Sequence, residues 1–159
     1  MEAITIQGVN KKYGDKVTAL SDVTFSVEEG EVFGLVGPDG AGKSTLFNIL
    51  TTLLLPDSGN IKMLGMDVID DYKSVRQIIG YLPGTFSLYP DLSVQENLDF
   101  FAVMYKSSIE ENMSIIEPIW KQISPFKDRK AGKLSGGMKQ KLALCCALIH
   151  CPKVLFLDE

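Results

Sequence analysis

Residues 37 to 44 read Gly37, Pro38, Asp39, Gly40, Ala41, Gly42, Lys43, Ser44. A glycine, four residues, then glycine, lysine and serine is the spacing of a loop that wraps phosphate. Gly37 and Gly42 permit the tight backbone that turns successive amides toward an anion, and a helix starting there adds its positive end. Lys43 supplies a charge for the β- and γ-phosphates, and Ser44 a hydroxyl for magnesium. The plain alternative is a glycine-rich turn between a strand and a helix. A second cluster closes the sequence, where four apolar residues in VLFLDE lead to Asp158 and Glu159. A carboxylate at a strand end can hold a magnesium shell, and the next one can orient water for attack on a phosphorus. Strands ending in acids are common, so this pair takes its meaning from the loop upstream. A third is LSGGMKQ, residues 134 to 140. Ser135 and the bare amides of Gly136 and Gly137 at a helix start form a second anion site, or else an ordinary serine-capped helix.

The elements around these residues must place them. Residues 1 to 30 read as an antiparallel lead-in, AITIQGV and VTALSDVTFSV joined by the turn KKYGDK. EVFGLVG, just before the glycines, is almost wholly apolar and suits a strand buried on both faces of a parallel sheet. KSTLFNILTTLL carries helical spacing through Leu46, Ile49, Leu50 and Leu53 and stops before Pro56. NIKMLG reads as a short strand, DDYKSVRQI as a short helix, and IGYL as an apolar strand ended by Pro83 and Gly84. From 85 to 133 no strand pattern stands out; SVQENLDFFAVMY and EENMSIIEPIWKQI are helical, with Pro118 a kink or boundary. Ser135 opens a helix to about His150, Pro152 breaks it, and KVLFLDE is a final strand.

The chain has 159 residues and a net charge of −4, with 45% hydrophobic and 23% charged residues. Such proportions favour a packed core over disorder, and the acidic balance disfavours a broad nucleic-acid face. No apolar stretch reaches a membrane span, and the start MEAITIQG lacks the pattern of a signal peptide, so a cytoplasmic setting is expected. Cys145, Cys146 and Cys151 crowd beside His150, the only histidine. A metal site would need a second, separated pair of ligands, so the cysteines read as small apolar residues that let a helix pack closely on a sheet.

LSGGMKQ, placed between the phosphate loop and VLFLDE, resembles the signature motif of ATP-binding cassette (ABC) ATPases, and VLFLDE resembles their Walker B element. The resemblance runs the length of the chain. It implies an α/β fold: a P-loop NTPase core of the ABC type over 1–84 and 134–159, with an antiparallel β lead-in, and a helical subdomain inserted at 85–133. It implies ATP and Mg2+ as cofactors. Nucleotide contacts come from Tyr13, stacked on adenine, from Val17 beside the base, from Gly37, Pro38, Asp39, Gly40, Ala41, Gly42, Lys43, Ser44 and Thr45, and, across a cassette dimer, from Ser135, Gly136, Gly137 and Gln140. Ser44 and Asp158 take the metal; Lys43 and Glu159 serve hydrolysis. The implied partners are a second cassette and a transmembrane permease, with the cassette peripheral on the cytoplasmic face, and IGYLPGTFSLYPDLSVQENL resembles the segment that meets the permease, with Phe86, Leu88 and Tyr89 as candidate contacts.

Two positions depart from the family pattern. Gly84 stands where glutamine is usual, and Asp39, an extra negative charge beside phosphates, where asparagine is common. The charge of Asp39 is expected to weaken nucleotide binding, both departures count against turnover, and the chain is expected to bind ATP better than it hydrolyses it. The expected function is the ATP-binding part of an ABC transporter, in the export direction from the texture of SLYPDLSVQENL; the alternatives are a soluble ABC protein acting on ribosomes or DNA, and an impaired ATP-binding fragment. At 159 residues the chain reads as about two thirds of a cassette, stopping after the Walker B acids, which predicts an unfinished sheet with an exposed edge.

Overall fold

The computed structural model describes every residue except Asp15, Phe86 and Glu159. The chain forms two compact units, Met1–Arg76 and Gln77–Glu159.

The first unit is built on a four-stranded antiparallel sheet. Strands β1 (Glu2–Tyr13) and β2 (Val17–Glu28) pair along their length, β3 (Ser58–Met63) takes the other edge of β1, and β4 (Met66–Asp67) closes a short hairpin on β3. The inner faces supply Ile4, Ile6, Val9, Leu20, Ile61 and Met63, all buried. Helix α1 (Lys43–Leu50) adds Leu46, Ile49 and Leu50 from one face. It is shorter than the spacing predicts. Thr51 turns its hydroxyl back to the Phe47 carbonyl, Thr52 adopts a left-handed φ of 63°, and the helix stops there although Leu53 continues the apolar pattern. Leu53 is exposed, so no burial offsets the cost of another turn. Helix α2 (Tyr72–Ile78) begins in this unit, with Val75 buried and Arg76 bonding the hydroxyl and carbonyl of Thr52.

EVFGLVG is not a strand. Residues 31 to 37 lie outside every ladder, with Val32 99% and Val36 95% exposed, and Phe33 stacked on Phe25 at 5.1 Å. An apolar run becomes a strand only where a neighbouring ladder takes its amides and a layer covers its faces. Among the described residues the ladders join β1 to β2 and β3, β3 to β4, and β5 to β6, and none takes the amides of residues 31 to 37.

In the second unit β5 (Ile79–Leu82) and β6 (Val154–Leu157) run parallel in register, Ile79 opposite Val154 and Leu82 opposite Leu157. Phe156 faces the interior, while Leu155 and Leu157 are exposed. Helices α3 (Val94–Met104), α4 (Ile109–Ile123) and α5 (Gly136–Leu148) enclose a core of Leu98, Ile116, Ile123, Leu142, Cys145, Cys146 and Ile149. Burying each large aliphatic side chain contributes about 1.5–3 kcal/mol. Ser93 and Glu96 form a reciprocal cap on α3, Ser108 caps α4, and Pro118 sits inside α4 without ending it. Among the described residues from 85 to 133, the single strand-like contact is a bridge between Ser93 and Lys130.

Candidate functional site

The phosphate loop of the first unit is shaped by backbone that only glycine accepts at one point. Gly42 caps α1 in the left-handed region at φ 89°, and a Cβ there would run into the Ala19 carbonyl oxygen and stand 3.0 Å from Leu20 Cδ2. Strand β2 therefore braces the loop where it enters the helix. Ala41 N–H donates to the Pro38 carbonyl at 3.1 Å, closing a turn over Asp39 and Gly40, both exposed. Lys43 folds back over this turn, its Nζ donating to the carbonyls of Gly37 at 2.7 Å and Pro38 at 2.9 Å. An ammonium held on loop carbonyls at the mouth of a helix N-terminus places a positive charge where an anion meets the helix end. Ser44 is exposed and Thr45 half-buried in the first turn of α1.

Tyr13 ends β1 beside this loop. Its register partner across the hairpin is Val17, and both side chains are about half exposed. The strand end is held by Asp57, which accepts from Lys11 Nζ at 2.8 Å and from the Lys12 amide at 2.7 Å. Those two bonds hold the Asp57 carboxyl below its ordinary range. The Tyr13 hydroxyl lies 3.4 Å from Thr45 Oγ1. Sequence reasoning assigns Tyr13 and Thr45 separately and has no signal for this bond, since 32 residues separate them.

The remaining candidates lie in the second unit. Ser135 caps α5, its Oγ accepting from Met138 N–H, and Gly136, Gly137 and Gln140 are exposed on the first turns. Asp158, half-buried, follows β6 and donates its amide to the Leu82 carbonyl at 2.9 Å. Burial, and next the charge of Asp158, raise the pKa of the Tyr81 phenol on β5. Glu159 and Phe86 fall outside the described residues. Leu88 packs in the helical core instead of facing a partner, whereas Tyr89 is exposed, edge-on to Phe100 at 4.8 Å. Gly84 is exposed.

Cys145 and Cys146 face the core, and burial pushes the Cys145 thiol up to about 12 and the Cys146 thiol further in the same direction. Two arrangements here have no mark in the sequence. Asn97, fully buried, accepts from the Tyr89 amide and donates to the carbonyls of Tyr89, Leu92 and Ser93. His150 stacks on Tyr105 at 3.8 Å and bonds the Ile79 carbonyl through Nε2 at 2.8 Å.

The chemistry of these groups fits a magnesium nucleotide. In the first unit the loop offers amides and an ammonium for phosphate, and Ser44 a hydroxyl of the kind magnesium takes; in the second, Asp158 offers a hard carboxylate oxygen.

The sequence model of the ABC transporter family matches residues 20–159. This chain belongs to that family. Among curated ABC proteins it is 43% identical over 159 residues to a probable multidrug ABC transporter ATP-binding protein, YbhF, of Escherichia coli K12, covering 98% of this chain and 28% of that one. It is 39% identical to the Nod factor export ATP-binding protein I of Burkholderia orbicola, covering 98% of this chain and 52% of the relative. The chain thus spans about half or less of the length of these ABC relatives. An ATP-binding subunit of an ABC transporter superposes with a TM-score of 0.89 at 30% identity, over 99% of this chain and 66% of the other. A dimeric ATP-binding cassette in a post-hydrolysis state, bound to ADP and phosphate, gives 0.83 at 29% identity, over 98% and 73%. The fold is that of an ABC ATPase domain.

Proposed function

We propose that this chain is the ATP-binding part of an ABC exporter: it binds MgATP at residues 37–44, pairs with a second cassette, and drives a membrane permease on the cytoplasmic face. The observation that carries the reading is Lys43, whose ammonium is satisfied by the carbonyls of Gly37 and Pro38 inside the loop. Phosphate oxygens are stronger partners for that cation than neutral carbonyls, so nucleotide replaces bonds already arranged around it. Export is supported by the relatives named for multidrug transport and Nod factor export.

Each side chain then has a defined task. Loop amides and Lys43 hold the β- and γ-phosphates, Tyr13 and Val17 flank the base, and Ser135, Gly136, Gly137 and Gln140 meet the γ-phosphate of the opposite cassette. Ser44 and Asp158 hold magnesium, whose charge offsets that of the phosphates when it is bound. Glu159 orients water. Gly84 has no side chain to assist that water, so hydrolysis is slower than binding would allow. The test is Lys43→Ala in the full-length protein, with ATP binding measured by titration calorimetry. Affinity falls at least about tenfold, the loss of one charge-assisted bond; unchanged affinity overturns the reading.

A further inference from the structure

We propose that Tyr13 donates its phenolic hydrogen to Thr45 Oγ1 and so leaves the hydroxyl hydrogen of Thr45 for a phosphate oxygen, making one hydrogen-bonded relay from an aromatic base platform to the phosphate loop. The inference rests on the nucleotide site proposed above and deepens it.

The two hydroxyls are 3.4 Å apart, a long contact that shortens to a full bond with a small rotation of either side chain, and geometry alone allows either to donate. Chemistry selects one direction. A phenol is more acidic than an aliphatic alcohol and is the better donor, and the N-terminal end of α1, where Thr45 stands, favours electron density on an accepting oxygen. Thr45 Oγ1 can accept from Tyr13 and still donate its own single hydrogen. Each bond in such a chain polarises the next, so the Thr45 hydroxyl becomes a stronger donor when Tyr13 is in place.

The placement of the ring supports the same assignment. Tyr13 is 47% exposed at the end of its strand, and it is held there from two sides. Asp57 pins the backbone at Lys12 and the side chain of Lys11, and Thr45 takes the hydroxyl. The Tyr13 hydroxyl stands 3.4 Å from Thr45 in the first turn of α1, the helix that follows the phosphate loop. The exposed Val17 opposite it adds an apolar surface. A flat ligand whose phosphates occupy the loop finds this platform already oriented. Tyr13 is in this sense both a surface for the base and a positioning residue for Thr45.

Dissociation constants for MgATP and for magnesium tripolyphosphate, measured on the full-length protein, test the relay with Tyr13→Phe, Thr45→Val and Thr45→Ser, and with Tyr13→Phe combined with each Thr45 variant. Tyr13→Phe keeps the ring and weakens both ligands about threefold to tenfold, the worth of one hydrogen bond. A ring that only stacks would leave tripolyphosphate, which has no base, unaffected. In the Thr45→Val background Tyr13→Phe has no further effect, while in Thr45→Ser, which keeps the hydroxyl, it does. Wild-type tripolyphosphate affinity in Tyr13→Phe, or equal losses with and without Thr45, overturns the relay. If Lys43→Ala abolishes ATP binding in the same assay while Tyr13→Phe is silent, the relay alone fails; if Lys43→Ala binds ATP as the wild type does, the nucleotide site fails and the relay with it. Far-UV circular dichroism of each variant confirms the fold, which loses only one oxygen from an exposed ring in Tyr13→Phe.

Discussion

Gly80 lies so close beneath helix α5 that a Cβ on it would stand 2.6 Å from the carbonyl oxygen of Ala147. The same atom would meet Leu155 Cδ1 at 2.9 Å and Pro152 Cγ at 3.0 Å. The small buried residues of α5, Ala143, Cys145, Cys146 and Ala147, suit this contact, in which strand β5 and the helix of the signature motif approach at backbone distance. Gly80→Ala has no room to relax on the side of the carbonyl and destabilises the protein by about 1–3 kcal/mol, the range for overpacking. Urea denaturation followed by far-UV circular dichroism reads this as a lower midpoint at unchanged slope.

Asn97 holds the turn from Tyr89 to Ser93 with all of its polar atoms engaged. Asn97→Ala leaves the Tyr89 amide without its partner and takes one of two donors from each of the three carbonyls, which keep backbone bonds from Leu92, Ala131 and residue 97 itself, at a cost of about 1–3 kcal/mol. Asn97→Asp costs as much, because a carboxylate accepts from Tyr89 but cannot donate to the carbonyls. Hydrogen exchange at residues 89 to 93 should rise in both variants. Protection equal to the wild type's would show that the turn holds without Asn97.

His150 makes stability fall in mild acid. A carbonyl only accepts, so Nε2 carries the proton in the bond to Ile79, and Nδ1 is a buried acceptor without a partner among the described residues. Burial, outweighing that hydrogen bond, lowers the imidazole pKa below its ordinary 6.5. The neutral ring is therefore favoured by folding. This contribution is full above the unfolded pKa and is lost as pH falls from about 6.5 through the lower folded pKa, because only the unfolded chain binds the proton there. Melts at pH 7.5 and 5.5 should show a drop that shrinks in His150→Gln. As His150 is the only histidine, an unchanged drop in that variant would place the acid sensitivity elsewhere.

The three thiols should separate cleanly by reactivity. Cys151 is exposed just beyond α5, whereas Cys145 and Cys146 are buried with raised pKa values. Only thiolate reacts with iodoacetamide, so the native protein at pH 8 should take up one label, at Cys151, and three after unfolding. Rapid native labelling of Cys145 or Cys146, located by peptide mass spectrometry, would mean that the helical core opens readily.

Contiguous patterns alone were enough for four elements of this protein. The phosphate loop, the serine-capped signature helix, β5 and β6 are each contiguous, so glycine placement, capping and apolar periodicity mark them without help from the rest of the chain. The tertiary structure decided what depends on partners. EVFGLVG has the composition of a buried strand, yet a strand exists through its ladder, and residues 31 to 37 have none among the described residues. Helix α1 ends at Leu50 because Leu53 finds nothing to bury against, and Pro118 stays inside α4 because Ile116 and Ile123 on either side are anchored in the core. The bonds of Tyr13 to Thr45 and of His150 to Ile79 join residues 32 and 71 positions apart. No local pattern records such pairs, since they form only when separate elements have packed and brought the two groups within hydrogen-bond reach.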